Sequence, residues 1–413
     1  MKSGKTVSIT TAILLGLVLG ILFGLFMPGR YEFLLPAVEL ISGLYMNALR
    51  MMIYPLVFCS LIVGIQGIGS VSATGRVGGQ CVLYYTATTL FASLLGLFLP
   101  KALGLGTGVT IEMAEANIEA TRFTSLMDTV KGLIPANPVA SFVNGDMLQV
   151  LVFAVIVGTT CLSLGEKAQP FVRLAEAVND ISVRIVSVVM YFTPIGAFCS
   201  IAGVIYANGT ETVLALGAVL FALYATMFLY VLIVYGGIVK LLGKCSVRTF
   251  FRAIMPAALN AFGTCSSSAT LPISKRCADE LEVPNAISAL SLPLGATINM
   301  DAVSIVMSFM IVFFANACGV EVSFGLLAVV LLSNTLLSIG TPGVPGGAIA
   351  SFAALAAIAG LPTGIMGVYI SVNTLCDMGA TCCNVLGDLA CSVAMKQTVR
   401  LETAAEIGGT TYE

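Results

Sequence analysis

The sequence predicts an all-α polytopic membrane protein with eight transmembrane helices and two opposed re-entrant hairpins, and three observations carry that reading. The chain has 413 residues, of which 58% are hydrophobic and only 10% charged, whereas about 25% charge is usual in soluble domains. Its apolar runs repeatedly reach the ~20 residues that a helix needs to span a bilayer. Two further apolar segments are interrupted by glycine, proline and serine, so neither reads as a simple span.

Residues 7–27 form the first near-continuous apolar run, too long for a signal-peptide core and read as a retained span. Lys2 and Lys5 precede it, which places the N-terminus on the cytoplasmic side. Apolar blocks follow at about 37–70, 78–104, 147–164, 181–206 and 212–242. Between them, 105–146 is more polar and reads as a long, partly amphipathic loop. Lys240, Lys244, Arg248 and Arg252 mark a second cytoplasmic face.

Residues 255–274 read MPAALNAFGTCSSSATLPIS, with basic residues on both flanks. A spanning helix would place one basic flank outside, so a hairpin that enters and leaves on the cytoplasmic side fits better than a polar-interrupted helix. Its tip is expected at 263–270, and non-helical backbone at depth belongs beside a cavity. A second break, SIGTPGVPGGA at 338–348, lies inside the apolar segment 324–362. Four glycines and two prolines cannot remain helical there. Paired interrupted segments of this kind point to a binding site between inverted repeats of a secondary transporter.

Between Cys277 and Met395 there is no lysine or arginine, yet Asp301, Asp377 and Asp388 lie in that apolar stretch. Carboxylates at membrane depth are costly and mark function. With no basic partner nearby, their charge is met by a cation, a proton or a substrate ammonium. In the last span, Asn373, Asp377, Thr381, Asn384 and Asp388 fall within a roughly 80° arc of a helix, more than helix–helix glue requires. Asn299 and Asp301 are two apart and would face opposite ways on a helix, so local unwinding is expected there, which also frees carbonyl oxygens as Na⁺ ligands. Tyr85, Thr88 and Thr89 place hydroxyls in the 78–104 span, a weak signal alone because threonine often bonds its own helix.

Other classes fit poorly. There is no basic tract for nucleic acid, and the net charge is −2. The absence of histidine removes His-based catalysis and His metal ligands. An intramembrane protease using Cys265 or a serine of 266–268 would lack an activating base, so the chain is not read as an enzyme. The 12 cysteines show no zinc spacing and read as small reduced packing residues.

CSSSATLP, PLGATINMD, SIGTPGVPG and DMGATCCNVLGD resemble the dicarboxylate/amino acid:cation symporter family, the glutamate transporter homologues. The resemblance covers most of the chain and is strongest after residue 248. It implies an inverted-repeat elevator-type transporter of the cytoplasmic (inner) membrane, a homotrimer embedded in lipid. Residues 1–247 would be mostly trimerisation scaffold, with the helices near 78–104 and 212–242 joining a transport core at 248–395, and 396–413 would be a cytoplasmic tail. It further implies co-transported Na⁺ at three sites: Gly295, Asn299, Asn384 and Asp388; Thr297 with backbone of Ser338, Ile339 and Thr341; and Tyr85, Thr88, Thr89, Asn299 and Asp301. The substrate carboxylate would meet Ser267 and Asn384, and the ammonium Asp377 and Thr381, under backbone of Gly343, Val344 and Pro345, with Met300 coupling ion and substrate.

The departures from the family remove polarity around the distal end of the substrate. Ala380 stands where acidic-substrate members carry arginine, Cys265 where several prokaryotic members do, Asn373 for a supporting aspartate, and Ala302-Val303 for glycine-threonine. A buried carboxylate without a partner is costly, and arginine is its usual bidentate answer. The first reading is therefore Na⁺-coupled transport of a small neutral amino acid such as alanine, serine, threonine or cysteine. The alternative is a Na⁺- or H⁺-coupled acidic amino acid or C4-dicarboxylate symporter.

Overall fold

The computed structural model describes residues 9–27, 32–72, 76–108, 134–144, 146–208 and 210–408. Every regular element among them is helical. Lys2, Lys5 and most of the expected 105–146 loop lie outside the described residues.

The first helix, Ile9–Phe26, packs along Thr193–Asn208. Gly16, Gly20 and Gly24 recur every fourth residue and so share one face. A Cβ on Gly20 would sit 2.6 Å from the Phe198 carbonyl oxygen, and one on Gly24 2.7 Å from that of Ala202. Small residues at this spacing let two backbones approach where hydrophobic burial gives no drive between helices in lipid.

Two expected blocks are each two helices. The 37–70 run turns at Met51 and Met52 between Leu35–Arg50 and Ile53–Ser72, and the 181–206 run turns at Tyr191 and Phe192 between Gln169–Met190 and Thr193–Asn208. Pro55 and Pro194 lie in the first turns of the new helices, where the missing N–H breaks no bond. Helix Ile53–Ser72 packs on Met147–Leu164 and Gln169–Met190.

The next helix, Thr210–Tyr230, passes into a π-helical turn, Val231–Tyr235, and then into Gly236–Leu241. After it comes the first expected hairpin, with arms Val247–Thr264 and Ser267–Glu280. Its break is Cys265, in the left-handed region at φ 51°, and Ser266, which caps the second arm by accepting from the Ala269 N–H. The second hairpin has arms Phe324–Ile339 and Gly347–Ile358, with Gly346 left-handed at φ 75° opening the second arm.

Between the hairpins lies one interrupted helix. Asn285–Ile298 stops at Asn299 and Met300, and Asp301–Ala317 resumes, the unwinding expected from the opposed Asn299 and Asp301. Helix Arg76–Ala102 lies along Asp301–Ala317, and the final helix, Ile365–Gly408, packs on both halves of the broken helix and on hairpin 1.

Among the described residues, five helices are long and apolar enough to cross a membrane: Gly79–Ala102, Gln149–Met190, Leu214–Leu241, Ile287–Ala317 and Ile365–Lys396. Shorter apolar helices, both arms of hairpin 2 among them, complete the bundle. The described residues are thus all-helical in their regular structure, with several helices apolar enough to cross a membrane.

The two hairpins sit differently. Hairpin 1 leaves Met255, Leu259 and Phe262 exposed. Hairpin 2 also exposes Phe324 and Leu332 on its first arm, but its tip region packs inward: a Cβ on Gly340 would lie 3.1 Å from the Ser60 hydroxyl, one on Gly64 2.9 Å from the Ile339 carbonyl oxygen, and one on Gly346 2.6 Å from the Met190 sulfur.

Candidate functional site

The two hairpin tips meet. Ser266 Oγ donates to the Gly343 carbonyl at 3.2 Å, and the Ser268 N–H donates to the same oxygen at 3.3 Å. A side chain at 343 would strike the Ala296 carbonyl oxygen at 2.5 Å, so glycine is what allows this approach. The second arms of both hairpins begin at these tips, which turns two helix N-termini towards the same region.

Beneath the tips lies a small cleft. Its lining includes Cys265, Ser267, Met300, Val303, Asp377 and Asn384, together with Thr381 and the 341–344 backbone turn. Ser267, Val303, Gly343, Val344, Asp377, Thr381 and Asn384 are therefore brought together as expected, whereas Pro345 and Ala380 are not in the lining. No lysine or arginine lines it. Asp377 Oδ1 accepts from the Thr381 hydroxyl at 3.0 Å, and Oδ2 from the Gly346 N–H at 3.1 Å. Asn384 holds the unwound segment from both sides: its Oδ1 accepts from the Ala302 N–H at 2.8 Å, and its Nδ2 donates to the Met300 sulfur at 3.3 Å.

The first expected cation set is assembled. Asn299 Nδ2 donates to Asp388 Oδ1 at 2.8 Å and to the Asn384 carbonyl at 3.4 Å. Gly295 lies so close that any Cβ there would collide with Asp388 Oδ1. Asn299 Oδ1 is buried without a partner, an oxygen acceptor beside a carboxylate. Orphaned buried acceptors are rare and need a reason, and this donor set of hard oxygens suits a cation such as Na⁺.

The third set is assembled in part. Thr88 and Thr89 donate to Asp301 Oδ1 at 3.1 and 2.6 Å. Tyr85 points elsewhere, its hydroxyl donating to the Ser291 carbonyl at 2.9 Å. Asp301 Oδ2 is met instead by two tyrosines that sequence reasoning missed, Tyr230 at 3.1 Å and Tyr235 at 2.8 Å. The second set is expected from Thr297 and the backbone of Ser338, Ile339 and Thr341, and the side chains there are bonded locally. Thr297 is exposed, and its hydroxyl returns to the Leu294 carbonyl at 2.8 Å, while Thr341 Oγ1 pairs with Ser351 at 2.7 Å and with the Leu337 carbonyl at 2.8 Å. Ser338 Oγ donates back to the Thr335 carbonyl, and Ile339 lies against Gly64.

The ion pairs recorded among the described residues, Lys275–Asp279 and Lys396–Glu282, involve none of the three carboxylates. The last span, Ile365–Lys396, is 94% buried inside the protein in its most apolar window, so Asp377 and Asp388 are held within the fold rather than towards lipid.

Relatives align with this chain over nearly their full length. The chain is 29% identical over 397 residues to C4-dicarboxylate transport protein 1 of Pseudomonas paraeruginosa, covering 94% of this chain and 88% of that one. It is 30% identical over 396 residues to C4-dicarboxylate transport protein 2 of Ralstonia nicotianae, covering 93% and 87%. It is 25% identical over 401 residues to the proton/sodium-glutamate symport protein of Geobacillus stearothermophilus, covering 95% of each. The sequence profile of the sodium:dicarboxylate symporter family matches residues 9–398, nearly the whole described chain and every element of the site, and the chain belongs to that family.

Proposed function

We propose that this protein is a cation-coupled secondary active transporter that carries a small carboxylate-bearing solute through the cleft between the hairpin tips. The observation that carries this reading is the pairing of an acceptor-rich carboxylate set at Asn299 and Asp388, outside the recorded ion pairs, with a cleft opened to Asp377 and two helix N-termini. Na⁺ is the coupling ion in this reading, and relatives named for both proton and sodium keep H⁺ in the test. Purified protein in liposomes should accumulate substrate only under an inward Na⁺ gradient. Equal uptake driven by a proton gradient in Na⁺-free buffer would refute Na⁺ coupling.

Two substrate readings follow, and the comparisons support the second better. The first is a small neutral amino acid, favoured by one feature of this chain: the cleft holds Asp377 and no cationic side chain, while Cys265 and Val303 line it. A second carboxylate there would meet no fixed positive charge. The second is an acidic amino acid or C4-dicarboxylate, favoured by the names of the relatives. In that case the hairpin backbone N–H groups carry the additional charge. Competition of alanine, serine, aspartate, glutamate and succinate against the transported tracer separates the two. Inhibition by succinate, which has no amine, would remove Asp377 as an ammonium ligand.

The assembly that supports such transport is eight spans with two opposed hairpins, the 248–395 core moving as an elevator against a scaffold drawn mostly from 1–247. In this reading the protein is a homotrimer in the cytoplasmic membrane, its N-terminus cytoplasmic. The packing of the hairpin 2 tip against Ser60, Gly64 and Met190 supports a role for it distinct from that of hairpin 1. Cross-linking and accessibility of single added cysteines test the topology.

A further inference from the structure

Asp301 is completely buried and its carboxylate accepts from four hydroxyls on two helices. The family resemblance accounts for the two threonines. It does not account for Tyr230 and Tyr235, which come from the helix on the other side of the carboxylate.

Those tyrosines are five residues apart. At ~100° per residue they would point ~140° apart on an α-helix, and only one would reach Asp301. Here the π-helical turn Val231–Tyr235 lies between them, and its i→i+5 bonding brings residues five apart into register. The result is two phenols in edge-to-face contact, ring centroids 5.2 Å apart, with both hydroxyls on one carboxylate oxygen. A π-turn inside a long helix costs regular hydrogen bonding and is found mostly at functional sites.

The four donors are not equal, because a hydroxyl has one proton. Tyr230 Oη also lies 2.9 Å from the Thr88 carbonyl, and Thr88 Oγ1 lies 3.2 Å from the Tyr85 carbonyl, so each divides its proton between two acceptors. Tyr235 and Thr89 have Asp301 as their recorded acceptor. Tyr235 also reaches the neighbouring set. A Cβ on Gly387 would lie 2.5 Å from the Tyr235 hydroxyl and 2.7 Å from Asn299 Nδ2, the amide that binds Asp388. The glycine leaves the space through which Tyr235 passes to Asp301 alongside the Asn299–Asp388 pair.

We propose that Tyr230 and Tyr235 are positioning residues for cation binding at Asp301, with Tyr235 dominant, and that the π-turn exists to deliver them together. This rests on the reading of Asp301 as part of a cation site. With Oδ2 held by phenols, Oδ1 stays with Thr88 and Thr89, whose lone pairs remain available to an ion. Without the phenol donor, Oδ2 is a buried acceptor short of a partner, which is costly. The carboxylate then turns to recover donors from the same threonines, and cation binding must undo that rearrangement.

The test is direct Na⁺ binding to the purified full chain without substrate, read as thermal stabilisation during a Na⁺ titration in choline at constant ionic strength. Tyr235→Phe should weaken Na⁺ binding about tenfold, as loss of one hydrogen bond to a charged group does, and Tyr230→Phe about threefold because its donor is shared. The helical circular dichroism and the unfolding temperature at saturating Na⁺ should match wild type in both variants, which general misfolding would not allow. Wild-type binding with unchanged or tighter Na⁺ affinity in both variants overturns the inference alone. A wild type that shows no Na⁺ response overturns the cation-site reading and this inference with it. Should Tyr235→Phe not fold, the threefold change in Tyr230→Phe decides.

Discussion

Asp301 and Asp377 are both carboxylates in an apolar chain without local basic residues, and the protein treats them in opposite ways. Asp301 is sealed, and every recorded donor to it is a hydroxyl supplied from the side by neighbouring helices. Asp377 lines a cleft and receives one hydroxyl from its own helix and one backbone N–H from the tip of hairpin 2. The first is internally solvated, as suits a group that meets a small dehydrated ion. The second keeps an open side towards the cleft, as the proposed role of meeting a larger solute requires. Asp388 stands between them, with Asn299 as its recorded side-chain donor and an orphan amide oxygen beside it.

The largest effect that would sharpen this contrast is at Asp388. Asp388→Asn removes the charge from the least compensated set, and Na⁺-driven uptake should fall by two orders of magnitude or more, since stripping one partner from a buried pair costs about 3–5 kcal/mol. Uptake within tenfold of wild type would break the assignment. A smaller effect is expected from the cleft. Cys265 lines it and Ala380 does not, so Cys265→Arg is a more direct selectivity test than Ala380→Arg. An arginine there should raise aspartate uptake relative to alanine at least tenfold, because Arg–carboxylate bonds are about twice as strong as neutral ones. An unchanged ratio would show that the distal end of the substrate lies elsewhere. The smallest effect separates the two threonines. Thr89→Val should weaken Na⁺ binding about tenfold and Thr88→Val only a few-fold, since Thr88 shares its proton with the Tyr85 carbonyl. Equal losses would mean that the unequal donors act alike.

Much of this contrast was legible in the chain. Both hairpins, the unwound Asn299–Met300 step and the stripe from Asn373 to Asp388 could be read, because polar or helix-breaking residues stand out against an apolar background of known period. The tyrosine pair could not. A π-turn shifts hydrogen bonding by one residue without any residue type to announce it, and a tyrosine in an apolar span reads as packing. The divisions at Met51–Met52 and Tyr191–Phe192 were hidden inside unbroken hydrophobicity, although Pro55 and Pro194 stood there as signals. The Gly16, Gly20 and Gly24 face is written in the chain at a spacing of four. Tyr85 and Thr297 were placed by resemblance, and here their hydroxyls turn to backbone carbonyls, a local alternative always open to such side chains.

The central claim is that ion and solute are held by different carboxylates. Calorimetric titration of purified Asp377→Asn, first with Na⁺ and then with the transported solute at saturating Na⁺, tests it most directly. Na⁺ affinity should remain within about threefold of wild type, while affinity for an amine-bearing solute should fall by two orders of magnitude or more, the scale set by unpairing a desolvated ion pair. Loss of Na⁺ binding, or retention of solute affinity, would contradict the account.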